Sequence, residues 1–537
     1  MYRQELAPVA GSLLVSALLA AIPLVALFLL LGVLRMRAWI ASLISLAIAA
    51  VIAIAAWGMP VGQTADAALL GAAFGFFPIL WIVINAIWLY NMTVSTGHFD
   101  VLRRSFSRIS GDQRMQAVII AFCFGALMEA LAGFGTPVAI TSVMLIALGF
   151  KPIKAASVAL VANTAPVAFG ALAVPITTLS QVSGLTVQQL GSMVGRQTPL
   201  LSVVVPLVLV FMVDGRRGVR QGWLPALACG LVFGLTQWLT SNFVSVPLAD
   251  IVASLVSALA VVLVLRLRPI ERIDTEPTTT ESTGTAESTV DGKMDVFRAY
   301  APYLVIIVVF CVAQLPPILK VLNAAGGSFG WPGLEVANSA GKPLSLVQFK
   351  FNWLSAAGTL MLLSGILSIP LLAIKIGESV RAYGRTLRQL ATAIVTVMAV
   401  LGLAYVMNAS GQTTTLGTQM ASAGAAFAVL SPVLGWLGVA VTGSDTSSNS
   451  LFGALQVAAA HKAGLNPLLM AAANSSGGVL GKMISPQNLA IAAAAVGLAG
   501  KEGDLFRKVF GWSLLLLAIM CLIVVLQSTP VLSWMIP

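Results

Sequence analysis

Charge is scarce in this sequence: 9% of its 537 residues are Asp, Glu, Lys or Arg, where a soluble globular chain carries about 25%. Histidine is scarcer still. The only two, His98 and His461, leave little from which to build a zinc, haem or His-based catalytic site. Cys123, Cys229, Cys311 and Cys521 all fall inside apolar runs and form no C-x-x-C pair, so they imply neither a disulfide framework nor a metal. Strict period-2 alternation is absent, which argues against an outer-membrane barrel. No βαβ context surrounds Gly133-x-Gly135, so that pair is no dinucleotide fingerprint. What fills the chain instead is apolar sequence, 58% of it. Many runs reach the roughly 20 residues that span a bilayer as helix. The excess over what a core needs is what a lipid-facing surface needs.

The first run, 11–34, is longer than a signal-peptide core and is followed by Arg35 and Arg37, so it reads as a retained first span. Further spans are expected near 38–57, 67–91, 115–132, 191–213, 222–242, 248–266, 300–322, 351–374, 389–408, 422–442 and 511–532. Two stretches, 133–183 and 443–499, are apolar but interrupted. The net charge of +11 could suggest a nucleic-acid partner, but the basic residues lie in short loops between spans. With the Arg35/Arg37 loop placed in the cytoplasm, 21 of the 30 Lys and Arg fall on that side; by the positive-inside bias both termini are then periplasmic. Lys320, Lys342 and Lys350 are exceptions. The segment 273–293, acidic and rich in Thr and Ser, reads as a disordered cytoplasmic linker between an N-terminal half, 1–272, and a C-terminal half, 294–537. The Gly- and Pro-rich loop 324–346 is expected outside.

The interrupted stretches resemble each other. Gly133 to Thr136, Gly149 to Pro152, Asn163, Gly170 and Pro175 in one (motif 129–175) match Gly443 to Thr446, Gly464 to Pro467, Asn474, Gly481 and Pro486 in the other (motif 443–488). Asn to Gly is seven residues in both and Gly to Pro is five in both, although the middle G-x-x-P element slips. The span before Gly133 starts inside and the span before Gly443 starts outside. The expected fold is therefore an all-α polytopic membrane protein of about 12–14 membrane segments, in two inverted-topology repeats with broken helices or re-entrant hairpins.

Both repeats put Gly, Pro, Ser, Thr and Asn at membrane depth, where broken backbone is tolerated only against protein or a water-filled cavity. Half-helix N-termini there suit a carboxylate. Thr136, Asn163 and Thr164 in one repeat, and Ser444, Thr446, Ser447, Ser448, Asn449, Asn474, Ser475, Ser476 and Gln487 in the other, are the candidate substrate-binding donors, against the alternative of small-residue helix packing. Glu129 and Asp445 are read as the only acids deep in apolar sequence, and hence as candidate proton carriers. Glu129 could instead bond backbone groups freed at the Gly133 break, and Asp445 could instead cap a restarting helix. Lys482 could neutralise a substrate carboxylate, pair with Asp445, or snorkel to the interface.

At these motifs the chain resembles the bacterial lactate permease family. EALAGFGTPVAITS from Glu129, LVANTAPVAFGA from Leu160, GWLGVAVTGSDTSSNSLFGALQ from Gly435, GKMISPQNLAIAAAAVGLAGKEGDLFR from Gly481 and the final SWMIP carry the resemblance, which is weak only in 273–293 and 324–346. It implies uptake of L-lactate, D-lactate or glycolate with protons across the bacterial inner membrane, with no cofactor beyond the co-transported proton and no enzyme activity. The implied partners are the small-molecule substrate and membrane lipid. A more distant similarity, to ion transporters with paired re-entrant hairpins, implies an elevator-like movement. Proton coupling also suits the energetics. An anion entering against an inside-negative potential costs about 2.3 kcal/mol per 100 mV, which one accompanying proton cancels. A glycolate-preferring permease, a sodium-coupled carboxylate transporter, an anion channel and a membrane enzyme are the rival readings.

Overall fold

The computed structural model describes residues 1–34, 36–131, 133, 135–268, 292–313, 315–339, 341–498 and 501–537. Among them, ten helices are long and apolar enough to cross a membrane. A bent pair, Pro152–Ala162 with Val167–Ser183, and two shorter apolar helices, Thr136–Ala147 and Ala357–Leu371, complete the apolar set. The chain is thus an all-α, multi-pass membrane protein. The 273–293 linker lies outside the described residues except at its end, where Lys293 already begins the helix Lys293–Ala313.

Several expected spans change form. The stretch 115–132 is the first arm of a helical hairpin: Gln113–Leu131 runs in, and Thr136–Ala147 runs back. Gly133 (φ 52°) and Gly135 (φ 79°) take the left-handed backbone that reverses the chain, which glycine adopts without steric cost. Gln113 Nε2 donates to the Leu148 carbonyl (3.5 Å) and so joins the open ends of the two arms. The first arm is buried by protein along nearly its whole length, as a break at membrane depth requires. The expected spans 191–213 and 222–242 are two helices within Thr198–Leu239, separated by non-helical backbone at Asp214 and Gly215 and folded back on each other, with Gly230 against Ser202 and Gly234 against Pro199. The loop 324–346 is partly sheet: Gly327–Gly330 pairs antiparallel with Gln348–Phe351, and Val336–Ala337 pairs in parallel with Tyr2–Arg3.

After the first hairpin, Pro152 opens a helix at its first position, where a missing N–H costs nothing. That helix stops at Ala162 and is followed by the segment Gly170–Ser183, whose regular helix resumes only after the left-handed residues Ala171, Leu172 and Ala173; the bend across the break is 64°. The second half of the chain repeats this order. Phe427–Thr442 and Asp445–Ala463 form a second hairpin around Gly443 (φ 75°). Pro467–Gly481 and Pro486–Ala495 then form a second broken helix, interrupted at Lys482–Ile484. Both interrupted stretches are therefore broken where the Gly and Pro motifs fall. Glycines let the second module close up: a Cβ on Gly435 would stand 1.9 Å from the Asn474 carbonyl oxygen, and one on Gly477 2.2 Å from that of Pro432. This is the small-residue contact by which helices in membranes approach closely.

The modules pack reciprocally. Gly453, on the second arm of the second hairpin, meets Leu179 and Val182 of Gly170–Ser183. Gly135, at the tip of the first hairpin, meets Ile491 and Asn488 of Pro486–Ala495. Two other long segments, Val61–Ser95, whose helix is broken at Phe77, and the helix Ile376–Ser410, pack on each other beside the modules, tied by Trp88 Nε1 to the Ser379 carbonyl (3.0 Å) and Asn91 Nδ2 to Thr386 Oγ1 (2.8 Å). Both chain ends lie at one end of the molecule. Gln4 and Gln188 line the same vestibule; Gln188 bonds the Asn242 carbonyl, Asn242 bonds Arg196, and Arg196 bonds the Met535 carbonyl.

Candidate substrate site

A cavity of about 620 Å³ enters between the hairpin modules and a wall made of Met36–Trp39 and Thr392–Val397. Exposed Arg37 lies on its lining. Its protein end is formed by Glu129, Gly133 and Gly170 from the first module and by Gly443–Ser447, Lys482, Pro486 and Gln487 from the second. Two helix starts border it, at Asp445 and Pro486, each capped by a serine that accepts a first-turn N–H: Ser444 from Ser447, and Ser485 from Asn488. Helix N-termini carry partial positive charge and favour an anion.

The centre of this end is an ion pair. Lys482 Nζ lies 2.6 Å from Glu129 Oε1, with side chains 7% and 4% exposed. Asn163 Nδ2 donates to the other oxygen, Oε2, at 3.0 Å. Local backbone explains the placement. Glu129 is one turn before the first hairpin tip, Asn163 ends the first half of the broken helix, and Lys482 occupies the turn that interrupts the second. Gly170 is needed beside them, since a Cβ there would stand 2.8 Å from Glu129 Oε1. Ala171, Leu172 and Ala173 follow with positive φ, a left-handed run that non-glycine residues adopt only under strain. Of the three roles open to Lys482 in the sequence, the geometry selects none outright. It neither snorkels nor bonds Asp445, but pairs with the acid of the opposite repeat.

The expected site residues divide into two layers. Glu129, Ser444, Asp445, Thr446, Ser447, Lys482 and Gln487 line the cavity. Thr136, Asn163, Thr164, Ser448, Asn449, Asn474, Ser475 and Ser476 do not. Asn163, Thr164, Asn474 and Ser475, candidate substrate-binding donors in the sequence, are buried behind it. Most of their polar groups bond other buried side chains or backbone, while Asn163 Oδ1 has no partner among the described residues. Asn474 Nδ2 donates to Asn449 Oδ1 (2.9 Å), and Gln456 Nε2 to Asn474 Oδ1 (3.0 Å). Ser475 Oγ donates to Asp445 Oδ2 (2.6 Å), Ser476 Oγ to Gln197 Oε1 (2.7 Å), Ser448 Oγ to the Gly435 carbonyl (3.1 Å) and Thr164 Oγ1 to the Val161 carbonyl (2.7 Å). Asn449 Nδ2 also reaches the Pro175 carbonyl (3.2 Å), which ties the second hairpin to the first broken helix. Thr136 opens the second arm of the first hairpin, away from the cavity.

Asp445 is not a helix cap. Ser444 takes that role, and the Asp445 carboxylate turns inward to Ser475 and Asn449. Nor are Glu129 and Asp445 the only deep acids. Asp250 is fully buried, accepts a hydrogen bond from Gln237 Nε2 (2.7 Å), and interacts electrostatically with Glu129. Its position at the first turn of Ala249–Leu267 makes it look like a span end in the sequence. Asp112 is buried as well, paired with Arg114 at 2.7 Å.

A second cavity, of about 720 Å³, opens at the end that holds Gln4, Thr186, Gln188 and Lys350. One helical segment reaches both cavities along its length: Ala171, Val174 and Pro175 near its start line the first, and Thr177, Ser180 and Gln181 in its later turns line the second.

Comparison with known proteins places this architecture. The family model for L-lactate permease matches residues 16–531. An L-lactate permease of Bacillus subtilis is 42% identical, with 100% of each chain covered. The L-lactate permease of Escherichia coli K12 is 40% identical, again over 100% of both. Glycolate permease GlcA of the same organism is 41% identical, over 96% of both. Among solved structures, Neisseria gonorrhoeae MtrF aligns with 86% of this chain and 83% of its own, at 15% identity and a TM-score of 0.47. With the family model spanning nearly every residue, hairpin tips and ion pair included, this chain belongs to the L-lactate permease family.

Proposed function

We propose that this permease carries lactate and related 2-hydroxy-monocarboxylates together with protons across the bacterial cytoplasmic membrane, with the substrate held between the two hairpin tips. The observation that carries the reading is the Glu129–Lys482 pair at the protein end of a cavity bordered by two helix N-termini. An ammonium and oriented N–H groups suit one carboxylate; a neighbouring acid can hold the proton that keeps the transfer electroneutral. Glu129 is the first choice for that acid and Asp445 the second. By the positive-inside bias the Arg37 cavity faces the cytoplasm and both termini face the periplasm. The reciprocal packing of the modules supports an inverted repeat, and two separate cavities lined by the two ends of one helix suit a carrier better than an open anion channel.

Uptake into proteoliposomes under an imposed pH gradient tests the reading. Labelled lactate should accumulate uphill when the outside is acid, and replacing Na⁺ with choline should leave that accumulation unchanged. Accumulation that follows Na⁺ rather than pH would replace proton coupling with sodium coupling. The glycolate permease relative supports a second substrate preference, which competition between unlabelled glycolate and lactate in the same vesicles decides.

A further inference from the structure

The substrate-bearing end of the cavity holds one ammonium, and that ammonium is already occupied. Lys482 lies 2.6 Å from Glu129 Oε1, in a pair almost closed to solvent. A substrate carboxylate arriving in this cavity therefore meets a cation whose charge a carboxylate of the protein has satisfied. We propose that Lys482 is the carboxylate-binding residue of the carrier and that Glu129 is its stand-in substrate, so that protonation of Glu129 is the condition for substrate binding. The inference rests on reading the chain as a proton-coupled monocarboxylate carrier, and it explains why the coupling would be obligatory.

The exchange balances. In the empty site a Glu129 carboxylate faces the Lys482 ammonium, and the pair is neutral. A proton from water in the cavity forms an O–H bond on Oε1, and Lys482 is released from its partner. The substrate carboxylate then takes the vacated place against Nζ. The loaded site holds neutral Glu129, the ammonium and one carboxylate, and is again neutral. Both forms can thus cross the low-dielectric region without an unpaired charge, whereas substrate without proton leaves two carboxylates against one ammonium, and proton without substrate leaves a bare ammonium. Each is the costly buried charge that the membrane interior penalises. Slippage in either direction is suppressed by the same pair.

The surroundings support this exchange. Asn163 Nδ2 holds Oε2, not the oxygen that faces Lys482, so the carboxyl keeps one anchor whichever form it takes. The glycine at position 170 leaves space for Oε1 that a Cβ, 2.8 Å away, would take. The charged groups acting nearby are few, and one of them, exposed Arg37, lines the same cavity on the wall of Met36–Trp39. Asp445, from the second hairpin, feels the Lys482 charge, and Asp250, from Ala249–Leu267, interacts with Glu129. Lys154, on the first broken helix, turns instead to the Val213 carbonyl. Gly170–Ser183 and Thr136–Ala147 carry no ionisable side chain.

Lactate binding to the purified full-length protein, measured by calorimetry across pH, tests the proposal. In the wild type, affinity should fall about tenfold per pH unit above the pH at which Glu129 releases its proton. Glu129→Gln should bind lactate without that slope, and in vesicles it should exchange lactate without accumulating it. Removing Lys482 alone could destabilise the protein by leaving Glu129 unpaired, so its removal is read in the Glu129→Gln background. There, Lys482→Met should weaken binding by at least about 30-fold, while the double variant remains monodisperse. A Glu129→Gln protein that keeps the wild-type slope overturns the exchange, and so does a double variant that binds lactate as the single variant does. Wild type that neither binds lactate nor responds to pH overturns the symport reading itself.

Discussion

Cutting the Glu129–Lys482 pair from one side should cost more than removing it whole. Both side chains are under 10% exposed and 2.6 Å apart, so neither charge is screened by water once its partner is gone. Lys482→Met leaves a carboxylate buried with only the Asn163 amide for support, a loss of about 3–5 kcal/mol in folding stability. Glu129→Gln should cost less. The amide keeps the shape and the Asn163 contact, and the orphaned ammonium still has Asp445 nearby. In the double variant no charge remains unpaired, and part of the loss should return. The measurement is a double-mutant cycle on unfolding free energy in mixed detergent micelles. A coupling energy of about 2 kcal/mol or more is expected, within the range seen for residues in direct contact. If the two single changes add to within about 0.5 kcal/mol, the pair does not exist in the folded protein, and the mechanism built on it fails with it.

Gly170→Ala should impair uptake at matched expression, because its Cβ would lie 2.8 Å from Glu129 Oε1 and push that carboxylate out of place; Gly384→Ala, where nothing stands within 4 Å, should transport normally. Asn474→Ala should lower stability by about 1–3 kcal/mol, since it strands the buried Asn449 and Gln456 groups it now bridges. A thermal melt beside a lactate uptake curve checks this: a raised apparent KM with an unchanged melt would return Asn474 to direct substrate contact. Asp250→Asn should keep the response of uptake to external pH, because the amide oxygen can still accept from Gln237 and the residue lines neither cavity. Loss of that response would make Asp250 part of the proton path.

The sequence alone determined much of the scaffold, because the signals that specify it are local. Apolar length marks a helix at membrane depth. Glycine marks a left-handed reversal at Gly133, Gly135 and Gly443, and proline marks a restart at Pro152, Pro467 and Pro486. The hairpin tips and the breaks therefore fall at the glycine and proline motifs, and Glu129, Asp445 and Lys482 stand out as charges that apolar sequence cannot easily hold. Tertiary structure decided which of these groups meet. Lys482 and Glu129 are 353 residues apart, and nothing in the spacing of either repeat says that the cation of one module closes on the acid of the other. Direction was equally hidden. An amphipathic helix in water shows its buried face by periodicity, but these helices are surrounded by protein on nearly every side, so no stripe distinguishes cavity from interior. Asn163 and Asn474 consequently look like substrate contacts in the sequence, yet the fold turns them into struts behind the site. Asp250 looks like a loop residue at a span end, yet its first helical turn is packed into the core. Where a residue's role depends on its own backbone, the sequence stated it; where it depends on the partner across a cavity, only the folded arrangement of the two modules could.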